Sequence, residues 1–259
     1  MIKNIMGRIK IIATANNSMG NNPNDTGEEN HAIHRASRLA TACATLAKQD
    51  KHMALLIKKI GVPPPKPAAM GFAAFIDILI SQQISSAAAA SISKKFMQLV
   101  GEITPANILA QSVESLRTVG LSRQKIERVL LLSAAAEAKI FLPETLPQLS
   151  TDEVVEAIMA QKGFGRWSGE IYALFSLGRM DVFPSGDLAL QLGHHHLYKL
   201  PQPLSAAALA TVAESWRPHR GVAALLLWEY YNMTVKAKTK SKDKDKNKKI
   251  IKKIAAKKK

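Results

Sequence analysis

The sequence predicts an all-α fold. Three observations carry this. Apolar residues recur at helical spacing through most of the chain. Side chains that cap helices stand directly ahead of those apolar runs. No apolar/polar alternation longer than four residues offers a strand.

The elements follow in order. Residues 36–60 read as a helix ended by Gly61 and Pro63-Pro64-Pro65. Phe72, Phe75, Ile76, Leu79 and Ile80 sit at i, i+3, i+4, i+7 and i+8, one buried helical face. Ala88, Ile92, Phe96 and Leu99 continue that face on the next helix. Ser122 caps a helix carrying Ile126, Val129, Leu130 and Leu132, and Ser150 with Glu153 forms a capping box ahead of Val154, Val155, Ile158 and Met159. A further helix runs from Arg166 to Leu177. Pro218 suits the first turn of the last helix, through Leu225 and Trp228.

Charge sets the domain limits. The 259 residues carry 36 Lys+Arg against 20 Asp+Glu, a formal net of +16. From Lys236 onward there are 13 Lys and 2 Asp, net +11, which leaves 23 basic and 18 acidic groups, net +5, on residues 1–235. The body is only mildly basic, so bulk charge does not make it a nucleic-acid binder. Residues 1–30, rich in Asn and Gly, read as a disordered leader, 31–235 as the folded domain, and 236–259 as a disordered Lys-rich tail.

Other classes drop out. Cys43 is the single cysteine, which excludes an internal disulfide framework and Cys-rich metal or iron–sulfur sites. No run of 18 apolar residues predicts a membrane span. Lys3, Arg8 and Lys10 around Ile9, Ile11 and Ile12 make too short an apolar core for a secretory signal; an amphipathic organelle presequence is the alternative reading of that stretch. His194-His195-His196 does not read as a metal site, because consecutive helical residues point about 100° apart and no second Cys or His cluster supports them; a surface helix end is expected.

The first segment with chemistry is Gln161-Lys162-Gly163-Phe164-Gly165-Arg166-Trp167-Ser168-Gly169, a tight turn between two helices. Glycines allow positive φ and close backbone approach, and the following helix begins with unpaired N–H groups and the positive end of its dipole. That suits a phosphate, with Phe164 as an apolar plug; an ordinary helix–helix turn fits the same residues. Asp187 likewise reads two ways, as the cap of a helix starting at Leu188 or as a reactive carboxylate.

The turn resembles the helix-hairpin-helix of the DNA glycosylase superfamily, and it is not isolated. Ile80-Ser81-Gln82-Gln83-Ile84-Ser85, Gly120-Leu121-Ser122-Arg123-Gln124-Lys125, Asp181-Val182-Phe183-Pro184-Ser185-Gly186-Asp187, and Trp216-Arg217-Pro218-His219-Arg220 with Ala223–Trp228 resemble further signatures in the family's order. The resemblance covers residues 46–233 and is strongest to the 3-methyladenine DNA glycosylase II branch. It implies a two-lobed fold with the active-site cleft between the lobes, without the extra β domain of some larger relatives.

The resemblance also implies roles. Asp187 is the catalytic carboxylate, with Asp181 as a structural turn or cap. Trp167 stands where bifunctional relatives carry a nucleophilic lysine, which implies base release without strand cleavage. Arg166 cannot replace that lysine, since guanidinium stays protonated. Trp228, Trp167 and Tyr172 line the substrate pocket, Trp228 as a base-stacking ring; for Tyr172 core packing is the competing reading. Gln83 takes the wedge position, where close relatives can carry leucine. Gly163, Phe164, Gly165, Arg166 and Arg220 contact DNA, with Arg123 a further phosphate ligand. The carbonyls of Met159, Gln161 and Phe164 hold a monovalent cation. No redox or organic cofactor is implied. The partner is double-stranded DNA with damaged bases, the protein a monomer, and the compartment that of the genome: cytoplasm or nucleoid in a bacterium, nucleus in a eukaryote. Excision of uracil or deaminated purines, and a non-enzymatic DNA-binding module, are the alternatives.

Overall fold

A computed structural model describes residues 27–64 and 69–236, with side chains over 36–64 and 69–234. Every regular element among the described residues is helical. In chain order these are α1 (Gly27–Gln49), α2 (Lys51–Ile60), α3 (Gly71–Ser81), α4 (Ser86–Val100), α5 (Pro105–Leu109), α6 (Val113–Thr118), α7 (Arg123–Glu137), α8 (Thr151–Met159), α9 (Arg166–Ile171), α10 (Leu188–Leu197), α11 (Ala206–Ala213) and α12 (Arg220–Tyr230). A 3-10 turn covers Pro143–Gln148, and π turns extend α9 over Tyr172–Ser176 and α12 over Tyr231–Lys236. The leader and tail expected at 1–30 and 236–259 lie outside the described residues, apart from 27–30 in α1 and Lys236 in the last turn.

The chain forms two compact units. The first comprises described residues 69–182. Phe75 lies at its centre, edge-on to Phe141 at 5.0 Å and Phe164 at 5.6 Å, and stacked on Tyr172 at 4.5 Å. The apolar face predicted for α3 is buried at Phe75, Ile76, Leu79 and Ile80. On α4 the face is rotated by one position: Ala89, Phe96 and Val100 are buried, while Ala88 is exposed and Ile92 and Leu99 are half-buried. The capping box of α8 is made, Ser150 Oγ accepting from Glu153 N–H at 3.3 Å and Glu153 Oε2 from Ser150 N–H at 2.9 Å. Met159, expected on the buried face of α8, is exposed at its end.

The second unit joins described residues 27–64 with 183–236. The single helix expected over 36–60 breaks at Asp50. Its carboxylate accepts from the N–H groups of His52 at 2.7 Å and Met53 at 3.2 Å, so it caps a new helix and ends the old one. Asp50 is enclosed further by Tyr198 Oη and by Trp216 Nε1 at 3.1 Å. Burial would raise this carboxyl, but the donors from Tyr198, Trp216, Met53 and His52 together hold it below its usual value. Pro218 does not open α12. It follows a cis peptide after Arg217; His219 is the N-cap, and the helix begins at Arg220.

The expectation for the histidine run needs correction. His194 is 2% exposed and stacks on Tyr198 at 4.2 Å, whereas His196 is exposed. The helical repeat explains it. Leu190, fully buried, lies one turn before His194, so both fall on the inner face of α10.

Candidate active site

Asp187 ends a turn tied by backbone bonds from Ser185 N–H to Phe183 O at 2.8 Å and from Asp187 N–H to Pro184 O at 2.9 Å. Gln191 Nε2 donates to Ser185 O at 3.0 Å and holds the turn against α10. The half-buried carboxylate then gathers donors on one oxygen. Oδ1 accepts from Ala189 N–H at 2.9 Å, Leu190 N–H at 3.1 Å and Trp228 Nε1 at 3.0 Å. The cap and the reactive carboxylate, alternatives in the sequence, are compatible: capping sets the orientation of the group.

Trp228 reaches Asp187 because α10 and α12 pack closely. A Cβ on Gly193 would lie 2.8 Å from Leu227 O, so only glycine permits the approach. Trp228 is half-buried, the residue after a fully buried Leu227. Its indole fixes the carboxylate and keeps part of its ring accessible. Asp181 lies in a turn that closes the first unit. Tyr172 is corrected to the core. It is 1% exposed against Phe75, and burial pushes its hydroxyl up to about 12 despite a backbone hydrogen bond from Gly71.

In the first unit the hairpin joins α8 to α9. Phe164 is buried and holds the turn in the core. Phe164 N–H donates to Gln161 O at 3.2 Å, and Ser168 and Gly169 N–H donate to Gly165 O at 3.0 and 3.3 Å. The two hairpin glycines differ. Gly163 has φ +92, and a Cβ there would collide with Arg128. Gly165 has φ −113, and a Cβ would meet nothing within 4 Å. Gly163 is thus required by the fold, whereas Gly165 keeps the outer side of the turn open. Gly169 brings α9 onto α8, since its Cβ would sit 2.9 Å from Val155 Cα.

The remaining sequence-predicted residues fall as follows. Trp167 is half-buried at the start of α9 and Arg166 is exposed, its guanidinium 3.9 Å from Glu170. Gln83 is exposed on the turn between α3 and α4 with φ +58, a conformation uncommon outside glycine. Lys162 bonds Glu127 Oε1 at 2.5 Å, which ties the hairpin to α7. Arg220 bonds Glu214 Oε1 at 2.5 Å, so a phosphate there would compete with a carboxylate; Arg123 is exposed at the start of α7. Of the three carbonyls expected to hold a cation, that of Gln161 already accepts from Phe164, and a carbonyl keeps a second lone pair for an ion. The sequence reading missed Gln82, which bonds the hairpin, and the Asp187–Trp228 pair, whose members stand 41 residues apart. No helix among the described residues is long and apolar enough to cross a membrane.

Comparison with known proteins agrees with this arrangement. The profile of the HhH-GPD superfamily base excision DNA repair proteins matches residues 76–218. DNA-3-methyladenine glycosylase 1 of Schizosaccharomyces pombe is 32% identical over 194 residues, 71% of this chain and 84% of that protein. The alkylbase DNA glycosidase-like protein mag2 of the same yeast is 28% identical over 191 residues, 71% of this chain and 90% of that protein. The structure of the S. pombe 3-methyladenine DNA glycosylase Mag1 in complex with abasic DNA superposes with a TM-score of 0.69 at 30% identity, over 73% of this chain and 95% of that one.

Proposed function

The chain belongs to the HhH-GPD superfamily of base excision DNA repair proteins, and on that premise we propose that it is a monofunctional DNA glycosylase for alkylated purines of the 3-methyladenine type. The observation that carries this reading is Asp187, held by two backbone N–H groups and the Trp228 indole within the Pro184-Ser185-Gly186-Asp187 turn.

The chemistry follows from the substrate. A purine alkylated at a ring nitrogen carries positive charge while it is bound to the sugar. When the glycosidic bond breaks, its electron pair leaves with the base, which departs neutral and needs no prior protonation. One carboxylate is then enough, in contrast to the acid and base pair of most glycoside hydrolases. Asp187 stabilises the oxocarbenium-like sugar and orients the water whose oxygen bonds to C1′; the water's proton passes to the carboxylate or to solvent. Trp228 stacks on the extruded base, an interaction worth ~1–3 kcal/mol, and a cationic purine strengthens it. Trp167 in place of a lysine leaves no nucleophile for a Schiff base, so the product is an abasic site with intact strands.

On the duplex, the N–H groups of Gly163, Gly165 and Trp167 hold phosphate, and Gln83 fills the gap left by the extruded base. The protein works as a monomer in the compartment that holds the genome. The lysines after residue 235 add salt-sensitive, sequence-blind attraction. Base release is measured on methylated, uracil-containing and hypoxanthine-containing duplexes. Release of alkylpurine above the others is the expected result; strong uracil release without alkylpurine release overturns the assignment.

A further inference from the structure

The turn between α3 and α4 that carries Gln83 is tied to the hairpin by its neighbour. Gln82 Nε2 donates to Gly163 O at 3.0 Å and to Ser168 Oγ at 3.3 Å. Gln82 Oε1 accepts from Arg128 Nη1 at 3.2 Å. The Gln82 carbonyl accepts from Lys125 Nζ at 2.8 Å, and the same ammonium takes Ile80 O at 2.5 Å, at the end of α3 where a cation suits the helix dipole. Gly163 lacks the Cβ that would push Arg128 away, which lets the guanidinium lie against the hairpin. One half-buried side chain therefore joins three parts of the first unit: the wedge turn, the hairpin and α7.

The next residue is Gln83 at φ +58. A residue with a long side chain stays in the left-handed region only when its surroundings hold it there. Gln82, fixed on both sides of its amide and at its carbonyl, supplies that hold. We infer that Gln82 is a positioning residue for base extrusion: it bonds the hairpin through one amide and sets Gln83 in the conformation that enters the duplex, so that phosphate grip and wedge insertion occur in register. The inference rests on the proposed reading of Gln83 as the wedge.

The test uses the full-length protein as wild type, Q82L, R128M, Q83A and Q82L/Q83A. Three quantities are read: the single-turnover rate of base release from a methylated duplex, the Kd for undamaged duplex, and the fluorescence of 2-aminopurine placed beside the lesion. Q82L and Q83A are each expected to slow release about ten-fold or more, because small errors of placement are amplified in rate. Both lose 2-aminopurine signal in parallel, and Q82L keeps its Kd for undamaged DNA. The double variant is no slower than the worse single, because both changes disable one device. R128M shifts the same quantities in the same direction, and with Q83A it completes the cycle if Q82L does not fold. Q82L at wild-type rate beside an impaired Q83A overturns the positioning role alone. So do multiplying losses in the double variant, or a weakened Kd that accounts for the whole effect of Q82L. Q83A with wild-type extrusion overturns the wedge reading and the inference with it.

Discussion

The indole of Trp228 donates from Nε1 to Oδ1 of Asp187 at 3.0 Å, the same oxygen that caps α10. The pair links the residue expected to stack on the base to the residue expected to face the sugar. Trp228→Phe separates these two tasks, since it keeps a ring and removes the donor. Hydrogen bonds to charged groups contribute about 1.5–3 kcal/mol, so single-turnover release slower by about ten- to a hundred-fold is expected. Binding of methylated duplex changes less. Stopped-flow base release beside equilibrium binding checks this; a binding loss with an unchanged rate would assign Trp228 to stacking only.

The two hairpin glycines give opposite predictions. Gly163→Ala forces a Cβ into Arg128 at φ +92 and is expected to cost at least about 1 kcal/mol of stability. Gly165→Ala meets no protein atom and keeps an allowed φ, so the fold is unaffected or slightly stabilised. Its methyl group lies where the duplex backbone is proposed to approach, and weaker binding of undamaged DNA is expected. Urea midpoints and filter binding on both variants distinguish the two cases.

His194 makes stability depend on pH. Burial pushes its imidazole down to about 4, the Asp50 carboxylate opposing and His52 and His195 adding to the fall. Its ordinary value is 6.5. Protonation therefore favours the unfolded chain. The stability is complete above pH 6.5 and falls as pH drops toward 4. Asp50, held low, adds its own loss only below the ordinary carboxylate value of 3.8. Urea midpoints at about pH 7.5 and about pH 4.5 are expected to differ less in His194→Leu than in wild type.

Borohydride added during turnover on a methylated duplex is expected to trap no covalent protein–DNA adduct, because Trp167 is proposed to stand where a nucleophilic lysine would attack and Lys162 is engaged with Glu127. A trapped species on a denaturing gel would assign lyase chemistry to this chain.

What the sequence made legible was contiguous. The hairpin, the Pro184–Asp187 turn and the capping box at Ser150 are short motifs whose residues act on their neighbours, and each was readable from residue type and spacing. Pairs formed by packing were not. Nothing local joins Asp187 to Trp228 or Gln82 to Gly163; the closeness of α10 and α12, which rests on Gly193, creates the first of these. Three consecutive histidines point about 100° apart and have no second Cys or His cluster beside them, which suggests a surface helix end, although the spacing from Leu190 to His194 marks an inner face. The break at Asp50 was masked by an apolar period that runs across it, and the Asp50 cap was the overlooked signal.

The most direct measurement compares Asp187→Asn with Asp181→Asn in single-turnover release of alkylpurine. Asparagine can still cap α10 and accept from Trp228, so the fold and DNA binding are expected to persist. Loss of the carboxylate should then slow release by about 10²–10⁴, while Asp181→Asn stays near wild type. An Asp187→Asn protein that turns over normally beside an inactive Asp181→Asn would contradict the account.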